Sequence, residues 1–536
     1  MPKKQFAIGN IPHPPQRFPL KNVVYMLLLL FSFMFFTLYS GVTRIIFHQD
    51  KFDIFTKDLP QLATYFWPVD KTVSEKLFTL DEVMQSYMSG DNIFLTKSEE
   101  IEDLRLYITQ NRNYLSQLGF EDYDGLMDFL AELYQHREEV YLLLGRNQPF
   151  NYLVLLQNGN EKRPNGGFFG SFAFIKVEGG HIKEMEVIDS YFPDYIAPQT
   201  RIPLPQRFSE TFGESQAGFI AGNKFGFTNI DGKNIKTLYE KMFNYEYDPA
   251  RVDKVINPDE RELLHNQFIK GVIFLDSTLL EYLQPSFKRK ARERQFVNAT
   301  IDLIRGEDQS HKKQIYLEEV VEYFNQHKFT IAKNLINNRE GLLSKEYLQV
   351  FLSNTTPELN TFLQKHHLQT IYQDNTIYAR DINTSFNKAD AFLEKYLELF
   401  DSEGNLVLAT DQDMLPLNSL SGGNYSLHLS YNFSVPEEYL KFIASLTEKY
   451  EVTLTPREQD ILVLGPVIYD NKPSPRWRSS RSLMYIPSHI VLQKVHGDVT
   501  DQKYFKTEFS QGISYTIETN ENHRTVQAII DFTVPG

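Results

Sequence analysis

The chain has 536 residues, no cysteine and a formal net charge of −14. That length allows two or three domains with real cores, and 42% apolar with 23% charged residues excludes wholesale disorder. Disulfides, thiolate metal sites and cysteine nucleophiles are excluded, and the acidic balance sets aside nucleic acid as a global partner.

Residues 1–22 carry Lys3, Lys4, Arg17 and Lys21 and no acid. Residues 23–43 follow without a single charge, enough at about 1.5 Å per residue to cross a hydrocarbon core. The basic flank predicts a cytoplasmic tail and an uncleaved anchor, with the body on the extracytoplasmic face of the cell membrane. A cleavage site of small residues is lacking, since Tyr39-Ser40-Gly41 is a poor one. Membrane lipid is therefore the first expected partner.

Residues 48–149 read as an acidic helical segment. Ile101, Leu104 and Ile108 recur at helical spacing, as do Leu126, Leu130, Leu133, Val140 and Leu144. At residue 150 the pattern changes. Phe150–Leu156 is an unbroken run typical of a buried strand, a polar turn spans 157–167, and Phe168–Val177 is a second strand. Gly179-Gly180 marks a hairpin into Ile182–Ile188. Val272–Leu275 is a short strand leading into a helix cap at Asp276-Ser277, and 288–370 reads as mostly helical. Residues 150–400 are thus a central mixed α/β domain. From 401 to 536 short strands with turn residues between them predict a β-sandwich-like domain, including strands at 450–454 and 461–464. The expected class is α+β: one transmembrane helix, an acidic helical segment, the central domain and the β-rich domain.

Motifs of known chemistry are sparse. There is no P-loop, HExxH, GxSxG or EF-hand loop, and Asp411-Gln412-Asp413 is too short a signal for calcium. No metal site and no cofactor are expected. The turn at 157–167 is the most unusual segment. It sets Glu161, Lys162 and Arg163 beside Gly166-Gly167. Glycines admit close backbone approach, and arginine grips phosphate oxygens in a planar fork. The same residues also suit a structural turn with Glu161 and Arg163 paired.

These residues carry a resemblance. The string Gln157-Asn158…Glu161-Lys162-Arg163…Gly166-Gly167-Phe168-Phe169-Gly170 resembles the signature of domain-of-unknown-function family 4012 of bacterial envelope proteins. Gly271–Asp276, Asn383 with Asn387–Asp390, and Tyr485-Ile486-Pro487 are similar to weaker marks of that family. The resemblance implies one N-terminal membrane helix and an extracytoplasmic body; it implies no catalytic residue, because the family has no established activity.

A more distant analogy is to the LytR–CpsA–Psr family, whose members move phosphate-linked glycopolymer from a lipid carrier to the cell wall. By that analogy Arg163 and Glu161, with Asp189, Asp194 and Arg201 after the third strand, become ligand-binding candidates, and magnesium the cofactor. A second feature is the basic run Lys288, Arg289, Lys290, Arg292 and Arg294, read either as a solvated helix face or as a grip on a polyanion. Two functions follow. One is a non-catalytic binding or scaffold module for cell-wall or surface polymer. The other is a phosphotransferase attaching polyprenyl-pyrophosphate-linked glycopolymer to the wall. Anionic wall polymer and polyprenyl phosphate lipid are the candidate partners.

Overall fold

A computed structural model describes residues 71–89, 91–111, 124–204, 215–252, 264–265, 267–279, 345–383, 393–449, 451, 453, 478–506, 510–519 and 525–535. The uncharged run at 23–43, the basic run at 288–294, the Asn387–Asp390 segment and the strand expected at 461–464 lie outside these. Among the described residues no helix is long and apolar enough to cross a membrane. The chain divides into two compact units, Met1–Val140 and Tyr141–Gly536.

The first unit is helical. Helices α1 (Lys71–Ser89), α2 (Ile93–Thr96), α3 (Ser98–Gln110) and α4 (Asp124–Gln135) lie in it, and α5 (Arg137–Leu143) spans the division. Asn92 caps α2 by accepting the Leu95 N–H at 3.3 Å, and Glu99 and Glu100 fill the first turn of α3, where acids suit the positive end of the helix dipole. Arg105 and Glu102 form a forked pair at 2.6 and 2.7 Å on α3.

The second unit opens with β1 (Phe150–Lys162), β2 (Gly167–Glu178) and β3 (His181–Asp189), joined as antiparallel neighbours. Short α6 (Phe192–Ile196), the two-residue strands β4 (Ile202–Pro203) and β5 (Gln216–Ala217), α7 (Thr228–Asn244) and α8 (Pro249–Val252) follow. Then β6 (Ile269–Asp276) pairs parallel to β1, and β7 (Leu348–Leu352) antiparallel to β6, giving the order β3-β2-β1-β6-β7. Period-two alternation puts Leu153, Leu155, Phe172, Phe174, Val272 and Phe274 on one face. Helix α7 buries Ile235, Leu238, Tyr239, Met242 and Phe243 against that face.

Helix α9 (Pro357–Lys365) leads into two further five-stranded sheets, every pair in them antiparallel. Their strands in chain order are β8 (Thr376–Asn383), β9 (Leu393–Asp401), β10 (Leu406–Thr410), β11 (Met414–Pro416), β12 (Gly423–Phe433), β13 (Arg478–Ile486), β14 (Val491–Gly497), β15 (Thr500–Lys506), β16 (Gln511–Thr519) and β17 (Thr525–Val534). The sheet orders are β10-β9-β12-β17-β14 and β11-β8-β13-β16-β15. Inward residues of both make one core, with Leu397, Leu399, Leu427 and Leu429 facing Ile377, Ala379, Met484 and Ile513. This is the expected sandwich.

Several details differ from the sequence reading. β8 and β9, grouped there with the central domain, belong to the sandwich sheets. β7 lies in the stretch read as helical, because its partner β6 is more than seventy residues away and leaves no local mark. Helix α10 (Glu437–Lys449) interrupts the β-rich region, and Glu451 and Thr453 of the strand expected at 450–454 are not in a strand. β1 also runs on to Lys162, carried through the expected turn by irregularities after Leu156 and Asn158.

A smaller core joins the sandwich to the central sheet. Phe227 sits among Tyr372, Tyr378 and Tyr485, with ring centroids 5.8, 5.1 and 4.9 Å away. Tyr378 and Tyr485 reach it because they alternate with the inward residues of β8 and β13.

Candidate functional site

The family-like turn is a closed structure. The Arg163 N–H donates to Gly166 O at 2.9 Å. Gln157, buried below, donates through Nε2 to Asn165 O at 2.6 Å, and Asn223 Nδ2 donates to Gly167 O at 2.9 Å. Gly166 has φ +80°, and a Cβ there would overlap the Gln157 carboxamide. A Cβ on Gly167 would overlap Asn158 O. The two glycines therefore serve close chain packing. Arg163 Nη2 lies 3.2 Å from Glu161 Oε1, both side chains largely covered, and its guanidinium stacks 5.3 Å from the Phe168 ring centroid.

Asp189 ends β3 opposite Ser171 and accepts the Tyr191 N–H at 2.9 Å. Asp194 on α6 accepts from Arg201 Nη1 at 2.9 Å, from the Phe219 N–H at 2.9 Å and from the Ile220 N–H at 3.1 Å. It thereby caps the short 3₁₀ turn Phe219–Ala221. Of the expected candidates, the structure pairs Glu161 with Arg163 and Asp194 with Arg201.

Two buried carboxylates flank the turn. Asp231, on the first turn of α7, accepts the Phe225 and Gly226 N–H groups at 3.0 and 2.9 Å. Burial pushes its carboxyl up to about 8, against the pull of those donors. Asp276 ends β6 and accepts the Thr278 N–H at 2.8 Å. Burial raises it as well, opposed by hydrogen bonds from Thr278 and by the Lys162 charge.

Lys162 also faces a polar cavity of about 160 Å³ at the end of the sandwich. The reason lies in the alternation of four strands. β8 is apolar inward at Ile377 and Ala379 and then presents Asp381; β9 presents Lys395 next to Leu397. β12 and β13 contribute Tyr431 and Ser482, both bonded to Asp381. The last interior layer of the sandwich is thus polar, and Asp381 and Lys395 open into the cavity. Lys395 Nζ lies 2.9 Å from Asp381 Oδ2, donates to Ala379 O at 2.8 Å and meets Asp413.

The opposite wall is held by Arg380, only 2% exposed, whose fork meets Glu346 at 2.5 and 3.1 Å and Asp413 at 3.8 Å. Glu346 has φ +57°, an unfavourable backbone for a side chain of this kind. Burial works against the charge of Lys395, yet Asp381 and Asp413 reverse this and raise its pKa. Burial would raise Asp413, but Lys395, Lys162 and Arg380 hold it well below the usual carboxylate range. Lys395 and Asp413 therefore stabilise each other's charged forms. Among the described residues no set of three His, Asp or Glu side chains is arranged to hold a metal ion.

A mixed sheet packed against α7, joined to an antiparallel sandwich beside a polar cavity, makes the second unit a two-part α+β body. Residues 147–265 match the model of the family described as Protein of unknown function (DUF4012). The match covers β1 to α8, with the whole turn, and confirms the resemblance read from the sequence for that segment. No curated protein and no solved structure matches the chain. All the cavity residues except Lys162 lie beyond the matched segment.

The cavity is not legible in the sequence: Asp411-Gln412-Asp413 resembles only a poor calcium loop there, and Lys162 only a part of the turn. The available signal was the abrupt replacement of apolar residues by Asp381, Lys395, Tyr431 and Ser482 on inward positions of otherwise apolar strands. Without the strand pairing, those four positions have no visible relation.

Proposed function

We propose that this chain is a single-pass envelope protein, its N-terminus cytoplasmic, whose extracytoplasmic body is a non-catalytic binding or scaffold module for cell-wall or surface polymer. The uncharged run at 23–43 and its basic flank support the topology. The observation that carries the binding reading is the use of Asp194: its carboxylate takes one guanidinium and two backbone donors, so it acts as a strut. Glu161 and Arg163 likewise hold each other. Groups that would have to receive a pyrophosphate and a magnesium ion are engaged in holding the chain, Glu161 and Arg163 in the turn and Asp194 at the 3₁₀ turn Phe219–Ala221. The cavity beside the turn is preformed, with walls held by buried ion pairs.

The test is cosedimentation of the full-length protein, in detergent, with purified envelope polymer. Saturable retention is the expected result. Loss of retention at every salt concentration ends the reading. Protease added to intact wall-less cells should degrade the body and leave a short membrane stub; a protected body contradicts the topology.

A further inference from the structure

We infer that the cavity at the end of the sandwich is a subsite for one neutral sugar ring of such a polymer, an assignment that rests on the binding reading above. Its walls are balanced in charge. Lys162, Lys345 and Lys395 face Glu346, Asp381, Asp411 and Asp413, and Arg380 completes the balance through Glu346 and Asp413. An anion entering is attracted by one half of the walls and repelled by the other; so is a cation. A hydroxyl group suits both halves, because it donates to a carboxylate and accepts from an ammonium group.

The same walls hold water well, and a ligand that displaces such water must replace its hydrogen bonds. A ring bearing several hydroxyl groups does so; an apolar group does not. Tyr347, Leu393 and Met414 supply the apolar part of the lining, which suits the C–H faces of a pyranose. The volume of about 160 Å³ is about half the ~300 Å³ at which drug-sized ligand pockets begin, which leaves room for no more than one ring.

The site is also built rigidly. Arg380, Asp381 and Lys395 are 2, 6 and 8% exposed in their side chains and are locked by ion pairs. Arg380 Nε is buried with no hydrogen-bond partner among the described residues. At the rim, Lys345 and Asp411 are 40 and 56% exposed and 3.6 Å apart. They can accept a ligand without disturbing the buried cluster.

The experiment is a titration of the full-length protein in detergent with methyl glycosides of neutral hexoses and, separately, with inorganic phosphate, read by saturation-transfer NMR. At least one neutral glycoside should bind saturably, and phosphate at the same concentration should not displace it. Lys345→Gln and Asp411→Asn should each weaken glycoside binding about tenfold, the size of one hydrogen bond to a charged group, with an unchanged melting temperature. Displacement by phosphate, or glycoside binding indifferent to both variants, overturns the assignment. If no glycoside binds while envelope polymer is still retained, this subsite is wrong and the binding reading stands. If polymer is not retained either, the binding reading has failed as well.

Discussion

Arg380 and Glu346 meet fork to carboxylate, at 2.5 and 3.1 Å, with the guanidinium almost wholly withdrawn from water. One belongs to an outward position of a sandwich strand; the other stands two residues before β7 of the central sheet. The pair therefore ties the two parts of the second unit together. Removing Glu346 leaves Arg380 buried with only the more distant Asp413, at 3.8 Å, as counter-charge. Glu346→Gln should cost about 3–5 kcal/mol in a denaturant titration. The double variant Glu346→Gln with Arg380→Met should recover part of that loss. A single variant as stable as the parent would show that the pair bears no such role.

Asp231 makes stability depend on pH in a definite direction. Its folded carboxyl is pushed up to about 8 from an ordinary value near 3.8, so between those limits the folded state binds more protons than the unfolded chain. Its contribution is complete below about pH 4 and is lost as pH rises toward 8. Asp231→Asn should remove that component, and a melting temperature that falls from pH 5 to 8 in the parent should fall less in the variant. Equal slopes in both proteins would refute this.

Two glycines separate strain from crowding. Gly166 and Gly404 both have positive φ, +80° and +86°, but a Cβ meets Gln157 at the first and nothing within 4 Å at the second. Gly404→Ala should therefore cost only about 1 kcal/mol for the backbone conformation. Gly166→Ala should cost clearly more, measured by the same denaturant titration. Equal costs would mean that the turn is looser than its contacts imply.

Arg163→Lys distinguishes a strut from a ligand grip. Lysine keeps the charge but loses the planar guanidinium, with its contact to Glu161 and its stacking on Phe168. The expected result is a loss of about 1 kcal/mol in stability with polymer retention unchanged once the protein is folded. A variant that melts like the parent and no longer retains polymer would assign Arg163 to ligand binding instead.

Local signals carried much of this fold. Phe150–Leu156 and the Gly179-Gly180 hairpin were visible because alternation and turn chemistry act within a few residues. The sandwich was visible from its recurrent short strands. β7 was hidden because Leu348–Leu352 is held by a remote partner, and α10 because its amphipathic run stands among strands. In the turn, Glu161, Arg163 and the two glycines stood out by composition, and their pairing was one of the two readings the sequence allowed. The cavity was hidden for a different reason: Lys162, Glu346, Asp381, Lys395 and Asp413 come from five separate segments. Pairing of β8 with β13 and of β9 with β12, followed by the packing of those two sheets face to face, brings its polar layer together.

On the proposed function, the body binds polymer without transferring it. The most direct measurement incubates the full-length protein with polyprenyl-pyrophosphate-linked glycan, magnesium and cell-wall acceptor, and follows both the bound glycan and any released polyprenyl phosphate. A binding module should retain unaltered glycan stoichiometrically, with no release above the protein-free control. Repeated turnover, with glycan joined covalently to the acceptor and polyprenyl phosphate set free, would contradict that reading.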